Sequence, residues 1–271
     1  MHKQVQLIAE VADNHGGDMK LAKEFIRILA AVGVDYVKFQ SWQMARVRDP
    51  AAEPYYDWLV NAELGDKQHL ELIEECERRG VKFLTTVFDP HRVDFLSTLG
   101  MESIKVGSAE VGNHELLSRV RQHFDHVILS TGMHTGDEVR RAVDVLAGGR
   151  FTLMHCVSIY PHETGKANLS RMLWLRQFAL SVGFSDHSIG IEAAKMAIVL
   201  GADFVERHTA LGRYGPGRVN PWDTTPEQWE ELVRYRDLVE SALGEGDIPL
   251  SEPELRARRR FIGRWSGQQG A

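Results

Sequence analysis

Residues 67–108 read KQHLELIEECERRGVKFLTTVFDPHRVDFLSTLGMESIKVGS. The charged stretch 67–79 has helical spacing and runs into Gly80, and the apolar run 82–88 that follows has the length of a buried parallel strand. The order then repeats as a helical stretch over 91–99, Gly100, and a strand over 103–108. Glycine just past a helix is the usual C-terminal cap, because it takes a left-handed backbone without a Cβ clash. Ala-Val-Gly33 and Val-Leu-Gly201 punctuate the chain in the same way.

Outward from this unit, strand candidates at 5–12, 36–40, 126–131, 151–157, 180–186 and 204–211 alternate with helix candidates at 19–32, 113–123, 136–146, 169–178, 191–200 and 226–243. Together they make eight strands and eight helices in strict alternation, the count that closes a parallel sheet into a (β/α)8 TIM barrel. A barrel needs about 250 residues, so one uses nearly all of the 271. We expect a single α/β barrel domain over 1–245 and a C-terminal tail, a linker remnant, over 246–271. A doubly wound open sheet is the competing architecture, but it seldom takes eight consecutive right-handed crossovers. Segment 41–66 holds Trp42, Tyr55, Tyr56 and Trp58; it is long for a strand-to-helix loop and reads as a lid or as an aromatic packing insert. The basic run from Arg256 to Arg260 reads as solvated or partly disordered.

A chain that is 43% hydrophobic and 26% charged is ordinary globular composition. The net charge of −6 gives no basic field for nucleic acid. No apolar run approaches a membrane span, and the N-terminus lacks a signal-peptide core. Cys76 and Cys156 make no disulfide framework. A cytoplasmic protein without nucleic-acid or membrane partners is the expectation.

Barrel enzymes carry their chemistry at the C-terminal ends of the strands, and here every strand end bears a polar group. They are Glu10; Lys38 and Gln40; Thr86; Lys105 and Ser108, with Glu110 beyond; Ser130; His155, then Ser158 and Tyr160; Ser185, Asp186 and His187; Glu206 and His208. Residues i and i+2 of a strand share a face, so Lys38 goes with Gln40, and Glu206 with His208. His187 and His208, on neighbouring strands, suit a divalent ion whose other positions stay with water or substrate, and Asp186 and Glu206 could orient them or hold metal-bound water. Lys38 and Lys105 among Thr86, Ser108, Ser130 and Ser185 suit a ligand bearing phosphate and carboxylate. A Schiff-base lysine is the other chemistry these residues allow. Glu10 and Glu110 are candidates for proton transfer or for salt bridges to the lysines.

The segments IAEVADNHGGDMKLA, VKFQSW, FLTTVFD, IKVGSAEVGNHELL, ILSTGM, LMHCVSIYP, VGFSDHSIGIEAA and VERHTAL follow one another over residues 5 to 260 as in the sialic acid synthase family, which this sequence resembles. The resemblance implies a barrel that joins phosphoenolpyruvate to an N-acetylmannosamine-type open-chain aldehyde, releasing phosphate and forming a nine-carbon 2-keto acid. It implies Mn2+ or Mg2+ on His187 and His208, a phosphoenolpyruvate pocket of Lys38, Gln40, Thr86, Lys105, Ser108, Ser130 and Ser185, and acidic groups Glu10 and Glu110 near the reacting carbons. Phe88 and Tyr160 correspond to pocket-lining residues, Glu206 to a metal-water or sugar contact. A homodimer is implied as well.

The sequence departs from the family pattern on the acceptor side. Ser158 stands where the family has Asn, and Pro216, Gly217, Arg218 and Val219 replace a Pro-Gly-Pro-Asp whose Asp contacts the sugar. The family's antifreeze-like domain, source of an Arg to the partner's sugar site, would begin near Arg260-Phe261; Arg218 or a partner protein is the expected substitute. A phosphoenolpyruvate-condensing synthase with an altered acceptor is thus the leading expectation; the alternatives are a Schiff-base aldolase of pyruvate and a non-catalytic sugar-phosphate-binding barrel.

Overall fold

The computed structural model describes residues 4–212, 219–244 and 249–263. Eight strands, β1 (Gln6–Glu10), β2 (Tyr36–Ser41), β3 (Lys82–Val87), β4 (Ser103–Val106), β5 (His126–Ser130), β6 (Arg150–Cys156), β7 (Ser181–Asp186) and β8 (Phe204–His208), pair in chain order into a closed barrel. Closure is explicit: β1 pairs in parallel with β8, Gln6 opposite Phe204 and Glu10 opposite His208. That pairing excludes the open doubly wound sheet.

Between the strands run α1 (Met19–Val32), α4 (Asp66–Arg79), α5 (Val93–Ser97), α6 (His114–His123), α7 (Gly136–Leu146), α8 (Ser170–Leu175), α9 (Glu192–Val199) and, after β8, α10 (Pro226–Leu243). Their apolar stripes bury residues such as Phe25, Leu29, Leu72 and Trp229 against the outer face of the sheet, each side chain worth about 1.5–3 kcal/mol. Gly33, Gly80, Gly100 and Gly201 take φ of 89°, 71°, 72° and 81°, the left-handed conformation expected of them as helix ends. Inside the barrel a smaller apolar plug, Ile8, Tyr36, Leu84, Ile128, Met154 and Phe204, fills the lower lumen.

One segment departs from expectation, and two gain detail that the sequence did not carry. The helix read over 91–99 is divided into a tight turn at Pro90–Arg92 and then α5. Asp89 causes the break: its side chain accepts from His91 N at 2.9 Å, and Pro90 has no N–H to extend a ladder. The insert 41–66 contains two short helices, α2 (Met44–Val47) and α3 (Tyr56–Asn61), packed around buried Trp42, Met44 and Ala62. The basic run lies on α11 (Glu252–Phe261), whose first turn is closed by a Ser251–Glu254 capping box and which buries none of its residues. Among the described residues no helix is long and apolar enough to cross a membrane.

Candidate functional site

Strand alternation and register decide what enters the lumen. Above the apolar plug lie Lys38, Lys105 and Glu206; one step nearer the C-terminal rim lie Glu10, Gln40, Thr86, Ser130, Cys156, Ser185 and His208. They border a cavity of about 270 Å³ that opens at that rim. Phe88, Ser108, Ser158, Tyr160 and His187, from the loops after the strands, complete its wall. The residues read from the sequence as the donor pocket and the metal site thus face one cavity; Asp186 and His155 do not, and neither does Glu110. It belongs to the turn Ser108–Glu110, is absent from the cavity wall, and accepts from Asn113 Nδ2 at 2.8 Å.

The floor is a charge-balanced quartet. Lys38 Nζ is paired with Glu10, donates to Thr86 Oγ1 at 2.6 Å and lies 3.6 Å from Glu206 Oε1. Lys105 Nζ donates to Ser130 Oγ at 2.5 Å and to the Val106 carbonyl at 3.3 Å, with Glu206 Oε2 at 3.9 Å. Burial opposes the charge on Lys38, but Glu10 and Glu206 hold its pKa above the usual lysine value. Burial wins at Lys105, and neighbouring Lys38 reinforces it, so its pKa is lowered. Burial also pushes Glu10 up to about 7, against the pull of Lys38 and with the push of Glu206. Glu206 is buried too, yet Lys105 and Lys38 hold it below the ordinary carboxylate value. Among the described residues Glu206 Oε2 is buried without a hydrogen-bond partner, and a buried carboxylate oxygen of this kind suits a ligand hydroxyl.

The imidazoles of His187 and His208 stand 5.4 Å apart between ring centroids. Burial lowers the His187 pKa to about 4, so the ring is neutral. Its Nδ1 lies 3.0 Å from the Val157 carbonyl, and a neutral ring that donates there keeps its lone pair on Nε2. Tyr160 packs over both rings, at 3.9 Å from His187 and 5.9 Å from His208. Among the described residues no group of three or more His, Cys, Asp or Glu side chains is arranged to hold a metal. Two imidazoles on one cavity wall are a donor pair that suits a divalent ion taking its other positions from water or substrate.

Two strand-end residues point elsewhere. Asp186 faces outward from β7, where Arg207 engages it, so it does not orient the imidazoles directly. His155 also faces outward and bonds the Ala167 carbonyl at 2.7 Å. Arg48, Met133 and Cys156 line the cavity without having been singled out. Cys156 was legible, two residues beyond lumen-facing Met154; Arg48 comes from the insert, where no periodicity marks it. Arg218, with Pro216 and Gly217, lies outside the described residues.

Residues 25–248 match the NeuB family. The chain is 33% identical to an N,N'-diacetyllegionaminic acid synthase of Campylobacter jejuni, over 93% of this chain and 81% of that one. It is 29% identical to the human N-acetylneuraminate-9-phosphate synthase, over 94% and 76% respectively. Its fold is similar to the crystal structure of an N-acetylneuraminic acid (sialic acid) synthetase from Leptospira borgpetersenii in complex with citrate, with a TM-score of 0.87, 30% identity, and coverage of 96% and 93%.

Proposed function

The chain belongs to the NeuB family, and from that premise we propose that it condenses phosphoenolpyruvate with the open-chain aldehyde of a sugar, giving a sialic-acid-like 2-keto-3-deoxy acid and phosphate. The observation that carries this reading is the convergence of two buried ammonium groups and two imidazoles on one cavity. Lys38 and Lys105 supply the positive charge that a phosphate and a carboxylate need, and the hydroxyls of Thr86, Ser108, Ser130 and Ser185 supply neutral donors. Holding both anionic groups fixes the methylene carbon of the enol against the aldehyde, and this positioning is where much of the rate arises.

The methylene carbon attacks the aldehyde carbon, water adds at C2 of the former enol, and the tetrahedral adduct collapses with loss of phosphate. Glu10, with its pKa near 7, can take and return the proton of that water, and its place in the wall suits it better than Glu110. His187 and His208 are the residues that would hold Mn2+ or Mg2+, whose chemistry when bound is Lewis-acid polarisation of the aldehyde oxygen. Gln40, Phe88, Ser158 and Tyr160 line the rim where the sugar chain would lie. The acceptor is N-acetylmannosamine-like or an altered relative of it, in keeping with the products for which the similar proteins are named. A phosphoenolpyruvate donor supports the cytoplasm as the site of this reaction.

The test is phosphate release from phosphoenolpyruvate with a panel of hexosamine, hexose and pentose aldehydes, with and without Mn2+. Acceptor-dependent, Mn2+-stimulated release is expected, and its absence across the panel contradicts the proposal. The lowered pKa of buried Lys105 favours a second reading, a Schiff-base aldolase of pyruvate. Borohydride trapping of a pyruvate adduct on Lys105, with activity that survives chelators, would select it.

A further inference from the structure

The sequence neighbours of the two imidazoles turn away from the cavity and bind each other. Asp186 and Arg207 are register partners on the outer face of β7 and β8, and both side chains are fully buried. Arg207 Nη1 donates to Asp186 Oδ2. Its Nε donates to Thr224 Oγ1 at 2.7 Å, and its Nη2 to the carbonyls of Ser188 at 3.0 Å and Trp222 at 3.2 Å. Asp186 Oδ1 accepts from Ser188 N at 2.9 Å. A buried ion pair is a weak source of stability, since desolvation offsets the attraction and apolar replacements are often as good.

The destinations of these bonds give the pair another role. His187 lies between Asp186 and Ser188, both of them held. His208 directly precedes Thr209, which forms a bridge with Thr224, and the Thr224 N–H donates to the His208 carbonyl at 2.8 Å. Trp222, whose carbonyl Arg207 binds, sets its ring 5.6 Å from Tyr160, which packs over both imidazoles. One guanidinium therefore ties together the β7 loop, the end of β8 and the segment that backs Tyr160.

We propose that Arg207 and Asp186 are the positioning residues of the two-imidazole site, setting the separation and orientation of His187 and His208 for a divalent cation. The inference rests on the metal reading above and adds two residues that line no part of the cavity. Outer partners of metal ligands change affinity by about 10–100-fold when removed.

The experiment titrates metal-free protein with Mn2+ and reads free Mn2+ by electron paramagnetic resonance, alongside the melting temperature. Lysine at 207 reaches Asp186 but cannot span Thr224, Ser188 and Trp222 as a guanidinium does. Arg207→Lys and Asp186→Asn should weaken Mn2+ binding about 10–100-fold. Arg236→Lys is the control: it replaces the guanidinium of a part-buried pair with Asp35, 2.7 Å long, beside the opposite rim of the barrel, and should lower the melting temperature while leaving Mn2+ affinity unchanged. Should Arg207→Lys fail to fold, Thr224→Val removes a single bond and should show a smaller weakening. Wild-type affinity in the Arg207, Asp186 and Thr224 variants, or equal weakening in Arg236→Lys, overturns the positioning role. Failure of the wild-type protein to bind Mn2+ overturns the metal reading and this inference with it.

Discussion

Lys105 is the ammonium whose environment leaves most to a ligand. It is 2% exposed, its direct partners are a hydroxyl and a carbonyl, and its nearest carboxylate is 3.9 Å away. Replacing it removes one charge-assisted contact worth about 1.5–3 kcal/mol. Lys105→Ala should therefore raise the KM for phosphoenolpyruvate about 10–100-fold, with a smaller fall in kcat, and steady-state phosphate release checks this; an unchanged KM would move the donor out of this pocket. His69 gives a residue-scale prediction about stability. Its ring packs edge-on to Phe83 and Phe95, and burial lowers its pKa to about 4 from 6.5. The unfolded chain then binds the extra proton between pH 6.5 and 4, so stability that is complete above 6.5 falls as pH drops through that window, by about 1.4 kcal/mol per pH unit. Urea unfolding at pH 7, 6 and 5 should show His69→Phe losing that share of the slope, while an unaltered slope would mean that the ring titrates freely. Lumen residues such as Lys38, Gln40, Glu206 and His208 were legible because the strand period is two. Asp186 and His155 follow the same rule to the outer face.

At the scale of elements, the insert after β2 is packed onto the β1 loop as well as over the sheet. Trp58 Nε1 donates to Asp13 Oδ2 at 2.6 Å, and its ring covers Gly16, whose φ is +55°. A Cβ at Gly16 would meet the Trp58 ring at 2.7 Å. Gly16→Ala should destabilise the protein by about 1–3 kcal/mol through strain and overpacking. It should also loosen the insert that carries Arg48 to the cavity; limited proteolysis within 41–66 together with thermal melting checks both effects, and wild-type behaviour would show that the contact is dispensable. The long helices were legible from apolar stripes and glycine caps. The two short helices of the insert were not, because one or two turns carry no readable period. The last helix was not either, because it has no apolar face and only its cap marks it.

Across the whole molecule, the closed sheet separates stability from chemistry. Aliphatic layers and the apolar plug hold the barrel, while the charged and hydroxyl side chains of the pocket gather at the C-terminal rim. The barrel and the cavity's ionic groups were readable from alternating segments and strand ends. Of the clamp behind the imidazoles only Asp186 was named from the sequence; Arg207 was not, because it acquires its role only when β7 and β8 become neighbours. On the proposed function, one rim cavity holds both a divalent ion and a phosphorylated enol. A crystal structure of the protein grown with Mn2+ and phosphoenolpyruvate, read by anomalous scattering at the manganese edge, tests it directly. The anomalous peak is expected between His187 and His208, with the phosphate and carboxylate of the ligand against Lys38 and Lys105. A peak on other residues, or a ligand bound away from those lysines, would contradict it.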